Sequence, residues 1–511
     1  MIVLDAEPRR KQMDRLKFLR GLSMVGSALV TAACNGSPVI PVVADPAVPD
    51  AGSGPVATTA KPPTLVPTSI PVATPTAAVI FEPSATPVAP ATPKPTEVPP
   101  DEPEPSATPV PEKFEGLRVT QDTVAAFAKE MQLVPADVLK GIIIKPVGKD
   151  GKYTVAVTKD GYPLMSQEKG GEWKAISMRL VADGAGMRVG TLLADKYSKA
   201  GPAVQQHIAQ NYNAGYVEVD GSITEPTPGK FMFDETSAAL DVAEANKMAT
   251  MGGHLIYGAR DFRSAFAKGK KDAPKAELLQ LIENHIKGVM TKFKGRIGVW
   301  SVVNESGKKS WNSDADPYAN YIGEDEYINH AFTVARAVDQ KAPLIYNQGR
   351  NHTQRGYSEN SDRFQMTLDI LNRLRGKKLI DGVGLQMHVS QNGWSPPSKA
   401  DLIAAFKAYG LPVYITELDV NMSFYRKEDG SKPTDEEKAA KQAEVYRDIF
   451  EAAMESGVCK DINMWGVGDK YSWFEYQRKN PDAVATILHN DLSPKRAYYE
   501  VMKAMYSKWK S

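Results

Sequence analysis

GVWSVVNES, residues 298–306, is an apolar run that stops on an amide and a carboxylate, Asn304 and Glu305. Without the polar alternation of a strand wetted on one face, it suits a strand of a parallel sheet covered on both sides. On either side of it, seven more short runs share the pattern: MRVGTLL (187–193), YVEV (216–219), MGGHLI (251–256), LIY (344–346), GVGLQ (382–386), PVYIT (412–416) and INMWG (462–466). Helical stretches separate them, the signature of repeated βα units. Eight such units predict an α/β fold, a (β/α)8 barrel with insertions over residues 184–511. The alternative, an open doubly wound sheet, calls for a Gly-rich dinucleotide loop after the first run, and that run is not succeeded by one.

A barrel gathers the residues at and just past its strand ends on one rim, the face on which active sites are built. Glu218, His254, Asn304, Glu305, Asn347, His388, Glu417, Asp419 and Asp469 all fall there. Glu305 closes the fourth run and Glu417, in LPVYITELDV (411–420), closes the seventh. Strands four and seven face each other across a barrel mouth, which allows the roughly 5 Å approach of two carboxylates that a retaining glycosidase needs. One would protonate the leaving oxygen and the other attack the anomeric carbon, so their surroundings must push their acidities apart. His388 is placed to hydrogen-bond Glu417 and hold it ionised. Taken singly, a Glu is usually solvated and a His is usually a core residue; their joint position at strand ends favours an active site.

Composition bounds the rest. The chain has 511 residues, 42% hydrophobic and 24% charged, with 62 Lys+Arg against 61 Asp+Glu. Collagen, coiled coil and polytopic membrane protein are excluded, and a net charge of +1 offers no field for nucleic acid. A weakly charged substrate fits better. The two cysteines, Cys34 and Cys459, cannot build a disulfide framework, and Cys459 reads as a buried structural thiol. At the N-terminus, residues 1–34 read as an export signal: basic residues, an apolar stretch at 21–33, then LVTAAC ending on Cys34. This resembles a bacterial lipoprotein signal with Cys34 as the lipidated residue; an ordinary cleaved signal is the alternative. Either way the protein is expected at the cell surface or outside it, touching the membrane only through that anchor.

More than half of the 37 Pro lie in residues 35–112, a Pro/Thr/Ala-rich stretch that reads as a disordered stalk. Residues 113–183 read as a small α+β module, with a helical pattern in VAAFAKEMQLVPADVL (124–139) and strands in IIIKPV and YTVAVT. Its Tyr162 and Trp173 could stack on a sugar, although a core position is the commoner use of such residues.

From residue 187 onward the chain resembles glycoside hydrolase family 10, the endo-β-1,4-xylanase family. VWSVVNES resembles its WDVVNE motif with Ser301 for Asp, ITELDV its nucleophile motif, GVGLQMHV (382–389) its GxGxQxH strand, and WGVGDKYSW (465–473) its WGVTDxYSW strand. NDLSPKRAYYEVMKAM (490–505) resembles its closing helix. The resemblance implies Glu305 as acid/base, Glu417 as nucleophile and His388 as the nucleophile's partner. It further implies that Asn304 bonds the sugar 2-hydroxyl while Trp300, Gln386, Trp465 and Trp473 shape the pocket. Glu218, His254 and Asn347 complete the candidate sugar-contacting set. No metal or cofactor is needed, because two carboxylates suffice, and a monomer is expected.

The departures fall together. Where the family reads RGHTLVWH this chain reads GGHLIYGA (252–259), keeping His254 but putting Gly258 and Ala259 for the pocket Trp and His. The family's ENEMKW becomes YVEVDG (216–221), so Glu218 survives while Val217 and Asp220 replace an Asn and a Lys. The expected function is a retaining endo-glycosidase on a β-1,4-linked plant polysaccharide, with xylan the first candidate. Two alternatives stay open: a hydrolase of another β-glycan, or a surface glycan-binding protein with impaired turnover.

Overall fold

The computed structural model describes residues 120–130, 141–148, 151–193, 201–307, 316–351, 361–390, 393–476 and 479–510. The export signal, Cys34 and the Pro-rich stretch lie outside the described residues. After a helix at Gln121–Glu130 come four antiparallel strands in sequence order, β1 (Ile142–Val147), β2 (Tyr153–Thr158), β3 (Pro163–Glu168) and β4 (Trp173–Ala175). Pro146 sits in β1, an edge strand, where a missing backbone donor is tolerated.

Eight parallel strands then form the barrel: β5 (Arg188–Leu192), β6 (Ala214–Glu218), β7 (Ala249–Gly253), β8 (Val299–Asn304), β9 (Leu344–Gln348), β10 (Gly382–Leu385), then, past a two-residue β11 (His388–Val389), β12 (Val413–Val420) and β13 (Cys459–Met464). β10 pairs with β12, and β13 returns to β5 with Asp461 opposite Arg188, closing the ring. That seam carries a fork-to-fork ion pair, with Arg188 reaching both carboxylate oxygens of Asp461 at 2.5 and 2.7 Å. Each apolar run of the sequence has become one barrel strand. β8 and β12 are buried at every position, as strands with side chains on one face and helices on the other must be.

Local signals fix the helices around the ring. Asp435–Ser456 starts with a reciprocal capping box between Thr434 and Glu437, carries three acidic residues in its first turn, and stops at Gly457 in the left-handed conformation. The small sheet packs against the closing helix Arg496–Trp509. Tyr162 donates from its hydroxyl to Glu500 at 2.5 Å, Lys503 lies 4.6 Å over the same ring, and Tyr153 meets Trp509 edge-on. Tyr162 is therefore core, unavailable to stack on a sugar, and Trp173 is half-buried against the same core. Trp509 also lies on Gly184 of the helix Met178–Ala185, so closely that a Cβ there would overlap the indole. Cys459 is buried at the start of β13, as the sequence suggested.

Candidate active site

β8 ends on Asn304, and the next residue, Glu305, turns the chain off the barrel with a φ of 52°. A left-handed conformation disfavours a residue with a Cβ by about 1 kcal/mol, so it persists only where neighbours enforce it. Here the Glu305 N–H is tied to the Asn347 carbonyl at 3.1 Å. The carboxylate of Glu305 accepts from Gln386 at Oε1 (2.6 Å) and from the Tyr257 hydroxyl at Oε2 (2.8 Å).

Across the mouth, Glu417 of β12 is 5% exposed. Its Oε1 accepts from Asn347 at 2.9 Å and faces Nε2 of His254 at 3.3 Å, while its Oε2 faces Nε2 of His388 at 3.2 Å. The two carboxylates are joined through amides. Gln386 donates to Glu305 and to the Asn304 side-chain oxygen, and Asn347 donates to that same oxygen and to Glu417. Thr416 donates to the side-chain oxygen of Asn347 at 2.8 Å. Glycine makes room for this arrangement, because a Cβ on Gly384 of β10 would lie 2.3 Å from that amide oxygen.

The protonation pattern is set by the partners. His388 has carboxylates on both ring nitrogens, Asp419 on Nδ1 at 2.8 Å and Glu417 on Nε2. Carboxylates only accept, so both nitrogens donate. Burial by itself works against an imidazolium, but the two carboxylates outweigh it and lift His388 to about 10. For Glu417, burial pushes upward, and hydrogen bonds from His254 and His388 win, holding it near 2. Nδ1 of His254 lies within hydrogen-bond distance of the Ser301 and Tyr216 hydroxyls (2.8 and 3.1 Å), and its Nε2 faces Glu417, which can only accept, so that nitrogen donates. Glu417 is thus a desolvated, ionised carboxylate with its proton affinity suppressed, the state a nucleophile needs.

Around this centre, Trp473 donates to Asp419 at 2.7 Å and lies 5.0 Å from the His388 ring, and Trp465 packs edge-on against Tyr216. Both are half-buried at the mouth. Asn304, Glu305, Asn347, Gln386, His388, His254 and Glu417 are one connected set. Glu218 stands apart from it, paired with Arg260 at 2.7 Å, and Arg260 also reaches Asp220 at 3.1 Å. Trp300 corrects an expectation: it is fully buried and cannot line a sugar pocket. It sits four residues before Asn304, roughly 13 Å back along the strand from the rim. Asp469 likewise has a structural use, bonding Thr486 and the Lys495 ammonium.

Sequence reasoning left Tyr257 and Arg260 without roles and missed Tyr216, Ser301 and Thr416. Asp419 had a readable signal, since it lies two residues beyond Glu417 on the same strand face. Among the described residues no group of His, Cys, Asp or Glu could hold a metal ion, and no helix is long and apolar enough to cross a membrane.

Comparison with known proteins agrees with this geometry. The profile of Glycosyl hydrolase family 10 matches residues 177–504. Endo-1,4-beta-xylanase B of Thermotoga neapolitana is 30% identical over 292 residues, covering 56% of this chain and 78% of that one. A beta-1,4-xylanase of Dictyoglomus thermophilum is 28% identical over 288 residues, covering 55% and 78%. Among solved structures, native xylanase 10B from Thermotoga maritima superposes with a TM-score of 0.55 at 26% identity, covering 65% of this chain and 99% of that one. Xylanase 10B from Thermotoga petrophila RKU-1, in complex with xylobiose, gives 0.54 at 25% identity, covering 66% and 100%.

Proposed function

The chain belongs to glycosyl hydrolase family 10, and on that footing we propose that it is a retaining endo-β-1,4-xylanase with Glu417 as nucleophile and Glu305 as acid/base. The observation that carries the reading is the contrast between the two carboxylates. Glu417 is buried among two histidines and an amide, whereas the Glu305 carboxylate is bonded, among the described residues, to a neutral amide and a phenol. In the first step Glu417 attacks the anomeric carbon while Glu305 gives its proton to the leaving oxygen. In the second, Glu305 takes a proton from the incoming water as that water displaces Glu417. Asn304, fixed by Asn347 and Gln386, is positioned to meet the sugar 2-hydroxyl, and Trp465 and Trp473 offer ring faces to a pyranose.

Arg260 with Glu218 and Asp220 forms the wall where the family pattern is rewritten, so the identity of the glycan is the part to test. The experiment is product release from xylan and from a panel of β-glucans and mannans, with the protein and its Glu417→Ala variant side by side. Xylan cleavage lost in the variant, with the β configuration kept in the first product, supports the reading. Cleavage confined to another glycan would reassign the substrate, and glycan binding with no turnover would overturn the enzyme reading. The N-terminal pattern supports a second proposal, export and lipidation at Cys34; fatty-acid label in the protein and none in Cys34→Ser would support it.

A further inference from the structure

We propose that Tyr257 is a positioning residue for the acid/base, holding Oε2 of Glu305, the oxygen that carries the transferred proton, in both charge states of the reaction. The inference rests on the reading of Glu305 as acid/base and adds to it which oxygen works and what keeps it in place.

Among the described residues, Glu305 has one partner on each oxygen. The partner of Oε1 is the amide nitrogen of Gln386 at 2.6 Å, which can donate but never accept. Oε1 therefore stays the unprotonated oxygen whether Glu305 is a carboxylate or a carboxylic acid. The partner of Oε2 is the Tyr257 hydroxyl at 2.8 Å, which can do either. It donates to the carboxylate, and by turning its O–H it accepts from the acid until the leaving oxygen takes that proton. In the first step the proton passes from Oε2 to the glycosidic oxygen as the bond to the anomeric carbon breaks. In the second, a proton of the attacking water returns to Oε2 as the bond from the anomeric carbon to Glu417 breaks. Tyr257 remains neutral throughout, since burial and the neighbouring Glu305 and Glu417 push its hydroxyl far above the ordinary range.

The segment around Tyr257 is built to present that hydroxyl. The Tyr257 N–H bonds the buried Asp261 carboxylate at 3.3 Å, its ring stands edge-on to His254, and Gly258 begins a one-turn helix at Gly258–Asp261. A Cβ on Gly258 would lie 2.8 Å from the Asp316 carboxylate and 3.2 Å from the Tyr318 ring. A larger side chain at position 258 would thus press on Asp316 and Tyr318 and displace the segment that carries Tyr257.

The test is Tyr257→Phe, with kcat/KM measured on an unsubstituted xylo-oligosaccharide and on a dinitrophenyl β-xylobioside, whose leaving group needs no proton. A ratio taken on one enzyme preparation is insensitive to how much of the variant is folded. The proposal expects a 10- to 100-fold loss on the oligosaccharide carried by kcat, with KM within about threefold, and a change under threefold on the aryl glycoside. Equal losses on both substrates, or none on either, would overturn it. Glu305→Gln is run alongside. If that variant also loses both substrates equally, the acid/base reading has failed; if it spares the aryl glycoside while Tyr257→Phe does not, only the role of Tyr257 has.

Discussion

The two walls of the barrel mouth are built on different rules. On the β12 side, Glu417, His388, Asp419, Asn347 and Trp473 form a chain in which both carboxylate oxygens of Glu417 have partners, and ITELDV and GVGLQMHV there match the family motifs nearly letter for letter. On the β6 and β7 side the motifs are rewritten, yet the acidic residues there still find a cation. Asp220 stands where the family has a lysine, and the cation comes instead from Arg260, in the short helix beyond β7, which pairs with both Glu218 and Asp220. The contrast separates a strict local constraint from a loose one. A buried ionised carboxylate tolerates few partner sets, because losing one leaves an uncompensated charge. A wall that recognises hydroxyl groups needs donors and acceptors in place and can draw them from another element.

Substitution on each wall puts this contrast at risk. Glu417→Gln should reduce turnover by at least about 10⁴-fold, roughly 5 kcal/mol in the barrier, without unfolding the barrel. Arg260→Gln should lower kcat/KM by about 10- to 100-fold, or roughly 1.4–2.7 kcal/mol, mostly through KM; steady-state kinetics on one oligosaccharide reads both. Losses of equal size would mean that the rewritten wall takes part in the chemistry and that the contrast is false.

Gly258→Ala asks how tightly the rewritten wall is packed. The added Cβ meets Asp316 and Tyr318 at 2.8 and 3.2 Å, so overpacking should cost about 1–3 kcal/mol, seen as a lower Tm. An unchanged Tm would mean that the segment has room for the larger side chain.

The smallest effect lies in pH. His388 is lifted from 6.5 to about 10, so its contribution to stability is complete below pH 6.5 and disappears as pH rises through 10. Glu417 is lowered from 4.5 to about 2, and its contribution is complete above pH 4.5 and disappears as pH falls through 2. Stability against denaturant should therefore decline from neutral pH toward pH 10. Asp419→Asn, which removes one of the two carboxylates on His388, should flatten that decline by about 1 kcal/mol or more. An identical slope in the variant would show that His388 is not held as an imidazolium by this pair.

Much of the fold and the connected set around Glu305 and Glu417 can be read from the sequence, for physical reasons. Eight apolar runs are readable because strands buried on both faces need unbroken apolar sequence, and Glu305, Glu417 and His388 because strand ends of a barrel converge. Trp300 is misread because a motif gives residue type and order but not depth along the strand. Tyr257 and Arg260 are invisible as partners because their bonds to Glu305, Glu218 and Asp220 depend on how a short helix after β7 turns, and no periodicity encodes that. Ser301 shows in the sequence only as a departure, yet its hydroxyl, with that of Tyr216, bonds Nδ1 of His254.

The assignment of the two carboxylates is tested most directly by trapping the covalent intermediate. Incubation with a 2-deoxy-2-fluoro xylobioside carrying a dinitrophenyl leaving group, with peptide mass spectrometry of the product, should find the fluoro-xylobiosyl mass on the peptide containing Glu417, at one equivalent per chain. No adduct under conditions where the aryl glycoside is turned over, or an adduct on Glu305, would contradict that assignment.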